Sequence, residues 1–185
     1  KPVAPTVNNS IGQYKRTFTI PEGWDGRQVF VSFQGVESAF YLYINGQRVG
    51  YAEDSYTVDE FNITDYLQPG ENTIAAEVYR WSTGSYLENQ DFIRLSGIFR
   101  DVYLYSKNDV ELRDFFVTTD LDDTYTDAVL NLEASVRSLD PGVSGTYTVE
   151  AQLYGQNDEK AIWDTPLSFN VNVEAGKATV EERAD

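Results

Sequence analysis

Short runs of alternating apolar and polar residues, separated by turn residues, fill most of this sequence. Successive side chains of a strand point to opposite faces, so this period of two predicts β-strands. In the first half of the chain we predict strands over residues 13–20, 29–33, 40–44, 47–52, 72–81 and 98–105, with a short strand or single turn over 61–67. Asn45-Gly46 predicts a two-residue type I′ hairpin. Because no long helical pattern occurs, the sequence predicts an all-β protein.

The second half of the chain continues the alternation but carries a different charge. We predict strands there over residues 110–119, 128–139, 145–154, 166–173 and 177–182, with turn residues between them. Residues 1–107 hold 9 Lys+Arg and 13 Asp+Glu, whereas residues 108–185 hold 5 and 17. This asymmetry predicts two domains, 1–107 and 108–185, with a boundary near residues 106–109.

The strand spacing of the second domain is typical of a small antiparallel sandwich. An immunoglobulin-like sandwich has seven or more strands, and only about five fit into residues 108–185. We therefore expect the second sandwich to be incomplete, with an unpaired edge. The sequence contains no methionine, which leads us to expect an excerpt or a processed form of a longer chain.

Composition argues against several classes of function. A formal net charge of −16 opposes binding to nucleic acid or to anionic membrane surfaces. No apolar run approaches the roughly 20 residues of a membrane span, and no secretory signal is recognised. The chain has no cysteine and no histidine, so disulfides, the commonest zinc ligand and the usual general base are missing. We expect a soluble protein, in either the cytoplasm or the periplasm.

Paired carboxylates are the first catalytic candidates in a chain with 30 acidic residues. Glu53-Asp54 and Asp59-Glu60 are adjacent pairs. Neighbouring residues of a strand point to opposite faces, so the two members of such a pair are poorly placed to act on one bond. The favoured interpretation is a solvated surface.

Two further patterns each have a functional and a plainer interpretation. The aspartates of one turn in the second domain loosely resemble an oxygen-ligand calcium loop, but they lack the glycine and terminal glutamate of an EF-hand. A charged turn is favoured. The tryptophans could stack on sugars, although packing in a core is favoured for each. The residues concerned are Asp120, Asp122, Asp123 and Asp127 in the turn, and Trp24, Trp81 and Trp163.

A polar segment interrupts the strands at residues 81–101, WSTGSYLENQDFIRLSGIFRD. It gathers carboxylate, amide and guanidinium groups between apolar residues. Buried polar groups that find no partner lower the folding stability by about 1–3 kcal/mol each. Packing alone is therefore a poor explanation for such a loop. Binding residues concentrate on loops that a rigid sheet positions. From the residues alone, a loop whose charges pair with one another and a binding loop both remain open.

The same segment resembles a known signature. WSTGSYLENQDFIRLSGIFRDV is similar to the end of the N-terminal sugar-binding domain of β-galactosidases in glycoside hydrolase family 2. VESAFYLYINGQRVGYAEDS and YLQPGENTIAAEVYRW extend the resemblance over residues 12–107, and residues 108–185 are similar to the following immunoglobulin-like domain. The resemblance implies a jelly-roll sandwich, then an immunoglobulin-like sandwich. It also implies a (β/α)₈ barrel outside this chain that carries two catalytic glutamates in a retaining mechanism.

The resemblance assigns one functional residue to this chain. Asp91 matches an aspartate that reaches into the barrel's active site, where it contacts galactose and helps to bind sodium. The family often has Met-Trp after this aspartate, where this chain has Phe92-Ile93. A second sugar-contacting residue, an asparagine, belongs to a segment before Lys1. Residues expected to support the loop, in part by ion pairing, are Glu88, Gln90, Arg94, Arg100 and Asp101.

Two functions therefore remain in view. The first is a non-catalytic fragment of a β-galactosidase whose partners are the catalytic barrel of the same parent chain and a galactoside. In that case the fragment itself needs no cofactor, the parent enzyme uses sodium and magnesium, and the parent could form a homo-oligomer. The second is an independent carbohydrate-binding or adhesive β-sandwich protein. A barrel encoded directly after Asp185 would distinguish the first from the second.

Overall fold

The computed structural model describes residues 3–91, 93–157, 159–176 and 178–184, the last range by its backbone only. The chain divides into two compact units, Lys1–Lys107 and Asn108–Asp185. Nearly all regular structure is β-strand, which confirms the predicted fold class. No helix in the described ranges is long and apolar enough to cross a membrane.

Unit 1 is built from two antiparallel sheets and a short ladder. One sheet has the strand order β1-β7-β4-β5, the other β6-β2-β9, and β3 pairs with β8. A 3₁₀ turn over Thr64–Tyr66 and one four-residue helix, α1, Gly84–Leu87, are its helical elements within the described residues. The strands are β1 Ile11–Thr19, β2 Gln28–Phe33, β3 Val36–Glu37, β4 Ala39–Ile44, β5 Gln47–Glu53, β6 Asp59–Asn62, β7 Glu71–Tyr79, β8 Gly97–Ile98 and β9 Val102–Lys107.

The predicted apolar faces form the core of unit 1. Val31 of β2 is fully buried, and Ala76 and Val78 of β7 belong to the same cluster. The second face of β2 is buried as well, because Phe30 stacks on Tyr105 with ring centroids 5.3 Å apart. β2 is therefore the central strand of its sheet, buried on both faces.

The predicted type I′ hairpin is confirmed. Asn45 and Gly46 have φ angles of 50° and 80°, the left-handed values that this turn requires at both central residues. A bulge follows in the ladder, where Leu42 faces Gly50 but Tyr43 faces Arg48. The hairpin joins β4 to β5, and the end of β5 lies at the base of the polar loop.

One local prediction in unit 1 needs correction. Residues 98–105 form two strands instead of one, because Ile98 pairs with Val36 in the short ladder whereas β9 pairs with β2. Residues 61–67, predicted as a short strand or single turn, contain the end of β6 and then the 3₁₀ turn. In addition, β3 and α1 were not predicted, since two and four residues are too few to show a period.

Unit 2 contains the five predicted strands in two antiparallel sheets, ordered β10-β11-β14 and β12-β13. Its core is formed by the alternate residues Leu132, Ala134 and Val136 of β11 together with Phe169, Val171 and Val173 of β13. The predicted third strand ends earlier than expected, and Tyr154 instead forms an isolated bridge to Ala161. The strands are β10 Val110–Leu121, β11 Ala128–Ser138, β12 Gly145–Ala151, β13 Leu167–Val173 and β14 Ala178–Ala184.

One face of β10 is apolar and open. Phe115 and Val117 are paired with the buried Ala134 and Leu132 of β11, so their side chains lie on the core side of the sheet. They are nevertheless 62% and 45% exposed. No element of unit 2 covers them within the described part of the chain, so this face of the sheet is exposed there. The incomplete second sandwich with an unpaired edge stays a prediction.

Candidate functional site

The polar loop lies between β7 and β8 and begins with the helix α1. Asn9 fixes Trp81, the second residue after β7, by a pair of hydrogen bonds: its Nδ2 donates to the Trp81 carbonyl at 2.8 Å and its Oδ1 accepts from the Trp81 N–H at 2.9 Å. Residues 88–96 follow without regular structure where they are described. Such a segment holds its shape only through side-chain contacts, and three acidic or basic side chains supply most of them.

Glu53, at the end of β5, holds the start of α1. Its carboxylate accepts from the Thr83 hydroxyl at 2.8 Å and from the Gly84 N–H at 2.8 Å, and Tyr51 donates to it as well. Burial alone would raise the pKa of Glu53, but these hydrogen bonds outweigh it and lower the pKa. A carboxylate at a helix N-terminus satisfies N–H groups that have no partner in the helix. Glu53 is thus a structural residue.

Glu88 ties the end of α1 to the residues after β5. Its two carboxylate oxygens accept from the backbone N–H and the hydroxyl of Ser55, both at 2.7 Å. Ser55 is fully buried. Hydrogen bonds to an ionised group are stronger than neutral ones, so this two-point contact firmly fixes Glu88.

Arg94 connects two carbonyl groups of the loop to the carboxylate of Glu37. Its Nη2 donates to the carbonyls of Ser85 at 3.1 Å and Glu88 at 2.9 Å. Its Nη1 lies 3.7 Å from the carboxylate of Glu37, and its guanidinium carbon lies 5.8 Å from the ring centre of Trp81. The ion pairing expected of Arg94 is present, and its partner Glu37 was not anticipated from the sequence.

Asp91 is an exposed residue of this loop. Its carboxylate makes no hydrogen bond or ion pair within the described residues. Gln90 contributes only a long contact of 3.5 Å from its Nε2 to the Leu87 carbonyl. Ile93 is 85% exposed, and Phe92 lies outside the described residues. Asp91 is therefore presented to solvent on a loop whose base is held on several sides.

The C-terminal end of the loop is held by Arg100, through carbonyls instead of an ion pair. Its Nη1 donates to the carbonyl oxygens of Gln34 at 3.1 Å and Tyr56 at 3.0 Å. Asp101 contributes its backbone, because its carbonyl accepts from the Gln34 N–H at 3.1 Å. The Asp101 carboxylate is exposed and forms no ion pair among the described residues.

The other candidates from the sequence do not assemble a second site. The Asp122 carboxylate accepts from the Thr124 hydroxyl and from the N–H groups of Thr126 and Asp127, which makes it the closing group of a turn. Trp24 packs against the core of unit 1. The described residues contain no group of three or more Asp or Glu side chains placed to hold a metal ion.

The proton affinity of the Asp59 carboxylate is clearly raised. Burial, and then the charge of Asp54, raise the pKa of Asp59 to about 6 from its ordinary value of 3.8. Between about pH 4 and 6 the folded state therefore binds more protons at Asp59 than the unfolded state. The free energy of unfolding falls as the pH rises through this window.

We expect Asp59→Asn to raise the melting temperature at pH 7 by a few degrees, because an amide carries no charge to bury. At pH 4, where Asp59 is protonated in the folded state and still partly protonated in the unfolded state, the difference between variant and parent should be much smaller than at pH 7. Thermal melts of both proteins from pH 4 to 7 measure this, with the exposed Asp65→Asn as the matched control. If Asp59→Asn gained less stability over the parent at pH 7 than at pH 4, the raised pKa assigned to Asp59 would be wrong.

The sequence of this chain is similar to a known protein family and to several curated proteins. The model of the family described as "Glycosyl hydrolases family 2, sugar binding domain" matches residues 1–108. A β-galactosidase of Priestia megaterium is 52% identical over 172 residues, which are 93% of this chain and 16% of that relative. A β-galactosidase of Clostridium acetobutylicum is 51% identical over 162 residues, 88% of this chain and 18% of that relative. The chain thus spans less than a fifth of the length of these relatives.

A solved structure agrees with the architecture. The β-glucuronidase of Bacteroides uniformis superposes with a TM-score of 0.81 over 96% of this chain and 21% of that chain. Its sequence is only 24% identical, so the likeness concerns the fold alone. Both units lie within the superposed region, since 96% of this chain cannot be covered by either unit by itself.

Proposed function

This chain belongs to glycoside hydrolase family 2, and on that premise we propose that it is the non-catalytic sugar-binding part of a longer β-galactosidase. In that enzyme the loop of residues 88–96 reaches a catalytic barrel in another part of the same protein. The observation that carries the proposal is the identity of 52% to a β-galactosidase over 93% of this chain, through both units.

The geometry of the loop supports this role. A residue that contacts a substrate in a neighbouring domain has to be exposed in its own domain, and its loop has to be fixed in advance. Asp91 meets the first condition, and the contacts of Glu88 and Arg94 meet the second. A fixed carboxylate can accept from a sugar hydroxyl with little loss of entropy on binding.

A monovalent cation fits the same residue. Hard cations prefer oxygen ligands, and the Asp91 carboxylate makes no hydrogen bond or ion pair within the described residues. One carboxylate is too few to hold sodium, so the remaining ligands would come from the rest of the full-length protein. Bound there, sodium would supply a fixed positive charge near the sugar hydroxyls. No residue of this chain is proposed as a magnesium ligand.

We expect this chain alone to hydrolyse no β-galactoside. Retaining glycosidases need an acid/base carboxyl and a nucleophilic carboxyl about 5–5.5 Å apart, and the family supplies both from the barrel. Purified chain and full-length protein are incubated with a chromogenic β-galactoside, with the corresponding β-glucuronide as the substrate control. Turnover of the galactoside by the full-length protein, and not by this chain, supports the proposal. Turnover by the chain itself, or preference of the full-length protein for the glucuronide, would overturn it.

Calorimetry separates this proposal from an independent carbohydrate-binding protein. In isolation Asp91 is one ligand of several, so galactose titrated into the chain should release no measurable heat. Saturable binding at micromolar galactose would instead identify a self-sufficient sugar-binding module.

A further inference from the structure

The segment that carries Asp91 is held together at its two ends, Glu88 and Arg94, by the side chain of Arg94. We call this pair of residues the neck of the loop. The Arg94 guanidinium donates to the carbonyl of Glu88 at 2.9 Å, so a hydrogen bond joins the two residues that flank Asp91 at the neck. Asp91 is three residues from each of them in sequence and is exposed. Movement of the neck moves Asp91 with it.

Both sides of the neck are attached to the sandwich of unit 1. On one side the Glu88 carboxylate accepts from the N–H and hydroxyl of Ser55. On the other side the guanidinium of Arg94 lies 3.7 Å from the Glu37 carboxylate. The planar fork of arginine has donors for the two loop carbonyls and this carboxylate at the same time. A lysine has a single nitrogen and could not hold this geometry.

Glu37 is an unusual residue to find at this place. It lies on β3, where it pairs with Gly97 of β8, and it is only 3% exposed. A buried carboxylate is costly unless a charged partner compensates it. Arg94 supplies that charge, and Glu37 in turn is the group of the rigid sandwich that fixes the position of the guanidinium. Within the described residues, the other contacts of that guanidinium are to the carbonyls of Ser85 and Glu88 and to the face of Trp81.

We propose that Glu37 is a positioning residue for Asp91: it fixes Arg94, and Arg94 closes the neck of the loop before any sugar arrives. This inference rests on the proposed role of Asp91 in the full-length enzyme. It assigns a function to a buried carboxylate that lies outside the loop and touches neither substrate nor cation. Preorganisation of this kind lowers the cost of binding without adding a contact.

The first test uses this chain and amide hydrogen exchange resolved by residue. The Ser55 amide donates to Glu88, and the Glu88 amide donates to the Gly84 carbonyl, so both report on the neck. We expect Glu37→Gln to accelerate exchange at these two amides by about tenfold, while amides of β4 and β7 keep their parent rates. The control is Glu71→Gln, which removes an exposed carboxylate in the same unit. Unchanged exchange at Ser55 and Glu88 in Glu37→Gln would overturn the inference.

A second variant covers the case in which Glu37→Gln loosens the whole unit. Arg94→Lys keeps the positive charge that compensates Glu37 but loses the fork that binds the two carbonyls. Its sandwich should remain folded, and the same two amides should exchange about tenfold faster. Parent-like protection of both amides in Arg94→Lys would equally overturn the inference.

The second test uses the full-length protein. We expect Glu37→Gln to lower kcat/KM for a galactoside about tenfold, chiefly through KM, and to raise the sodium concentration for half-maximal activity. A purely structural role would lower the melting temperature without moving the sodium dependence. In the background of Asp91→Asn, the change Glu37→Gln should have almost no further effect on kcat/KM, because both act through one carboxylate.

The outcomes separate this inference from the proposed function. If Asp91→Asn impairs the enzyme and Glu37→Gln does not, Glu37 has no positioning role and the function of Asp91 stands. If the two single variants are impaired and their effects multiply in the double variant, the inference is also wrong. If neither variant is impaired, the proposed role of Asp91 itself fails.

Discussion

Replacing Asn72 with alanine is expected to destabilise unit 1 by about 3 kcal/mol or more. The Asn72 side chain is fully buried and makes four hydrogen bonds. Its Oδ1 accepts from Asn45 Nδ2 at 2.7 Å and from the Gln68 N–H at 2.9 Å. Its Nδ2 donates to the carbonyls of Gln68 at 2.9 Å and Gly70 at 3.2 Å. Alanine leaves four polar groups without this partner and empties a fully buried position.

Urea unfolding of this chain measures the change as a shift of the midpoint for unit 1. Asn170→Ala is the matched control, because Asn170 is an exposed strand residue of unit 2 with a single hydrogen bond from Thr148. The control should change stability by less than about 0.5 kcal/mol. An Asn72→Ala variant as stable as this control would show that the buried network contributes nothing net to folding.

The strands of this protein could be predicted because their period is local. Val29, Val31 and Phe33 alternate toward the core as the sequence indicates, and each choice is visible within five residues. The hairpin is equally local, since Asn45 and Gly46 by themselves favour the left-handed conformations that the turn needs. In both cases the tertiary structure agrees with the local preference.

The failures occur where pairing over long distances overrides local pattern. Residues 98–105 read as one alternating run, yet Ile98 pairs with Val36 and Val102 pairs with Phe33. The strand is broken because its two ends belong to different ladders. No window of the sequence around residue 98 contains that information.

The candidate site divides in the same way. Asp91 is predicted as a site residue only through resemblance to a family signature, because an aspartate in a polar loop has no local feature that separates it from its neighbours. Glu37 was missed altogether, since it stands between Val36 and Ser38 in what reads as an ordinary strand edge. Its partner Arg94 is distant in sequence. The burial of the Glu37 carboxylate is the feature that distinguishes it, and this burial is visible only in the structure.

On the proposed function, Asp91→Asn in the full-length protein is expected to lower kcat/KM for β-galactosides about a hundredfold and to weaken the dependence on sodium. Asparagine has the shape of aspartate but no charge, so it is a poorer ligand for a cation and a weaker acceptor for a sugar hydroxyl. The fold should not change, because Asp91 is exposed and its carboxylate makes no hydrogen bond within the described residues.

The experiment compares Asp91→Asn with Asp65→Asn, which removes an exposed charge on the 3₁₀ turn of unit 1. Steady-state kinetics are measured over a range of sodium concentrations with potassium keeping the ionic strength constant, so that general screening is the same for both. Asp65→Asn should match the parent enzyme at every concentration. Asp91→Asn should lose most of its response to sodium while its melting temperature stays at the parent value. Parent-like kinetics of Asp91→Asn would remove Asp91 from the active site, whereas a large fall in melting temperature would mean that the carboxylate serves the fold of the loop and not the sugar.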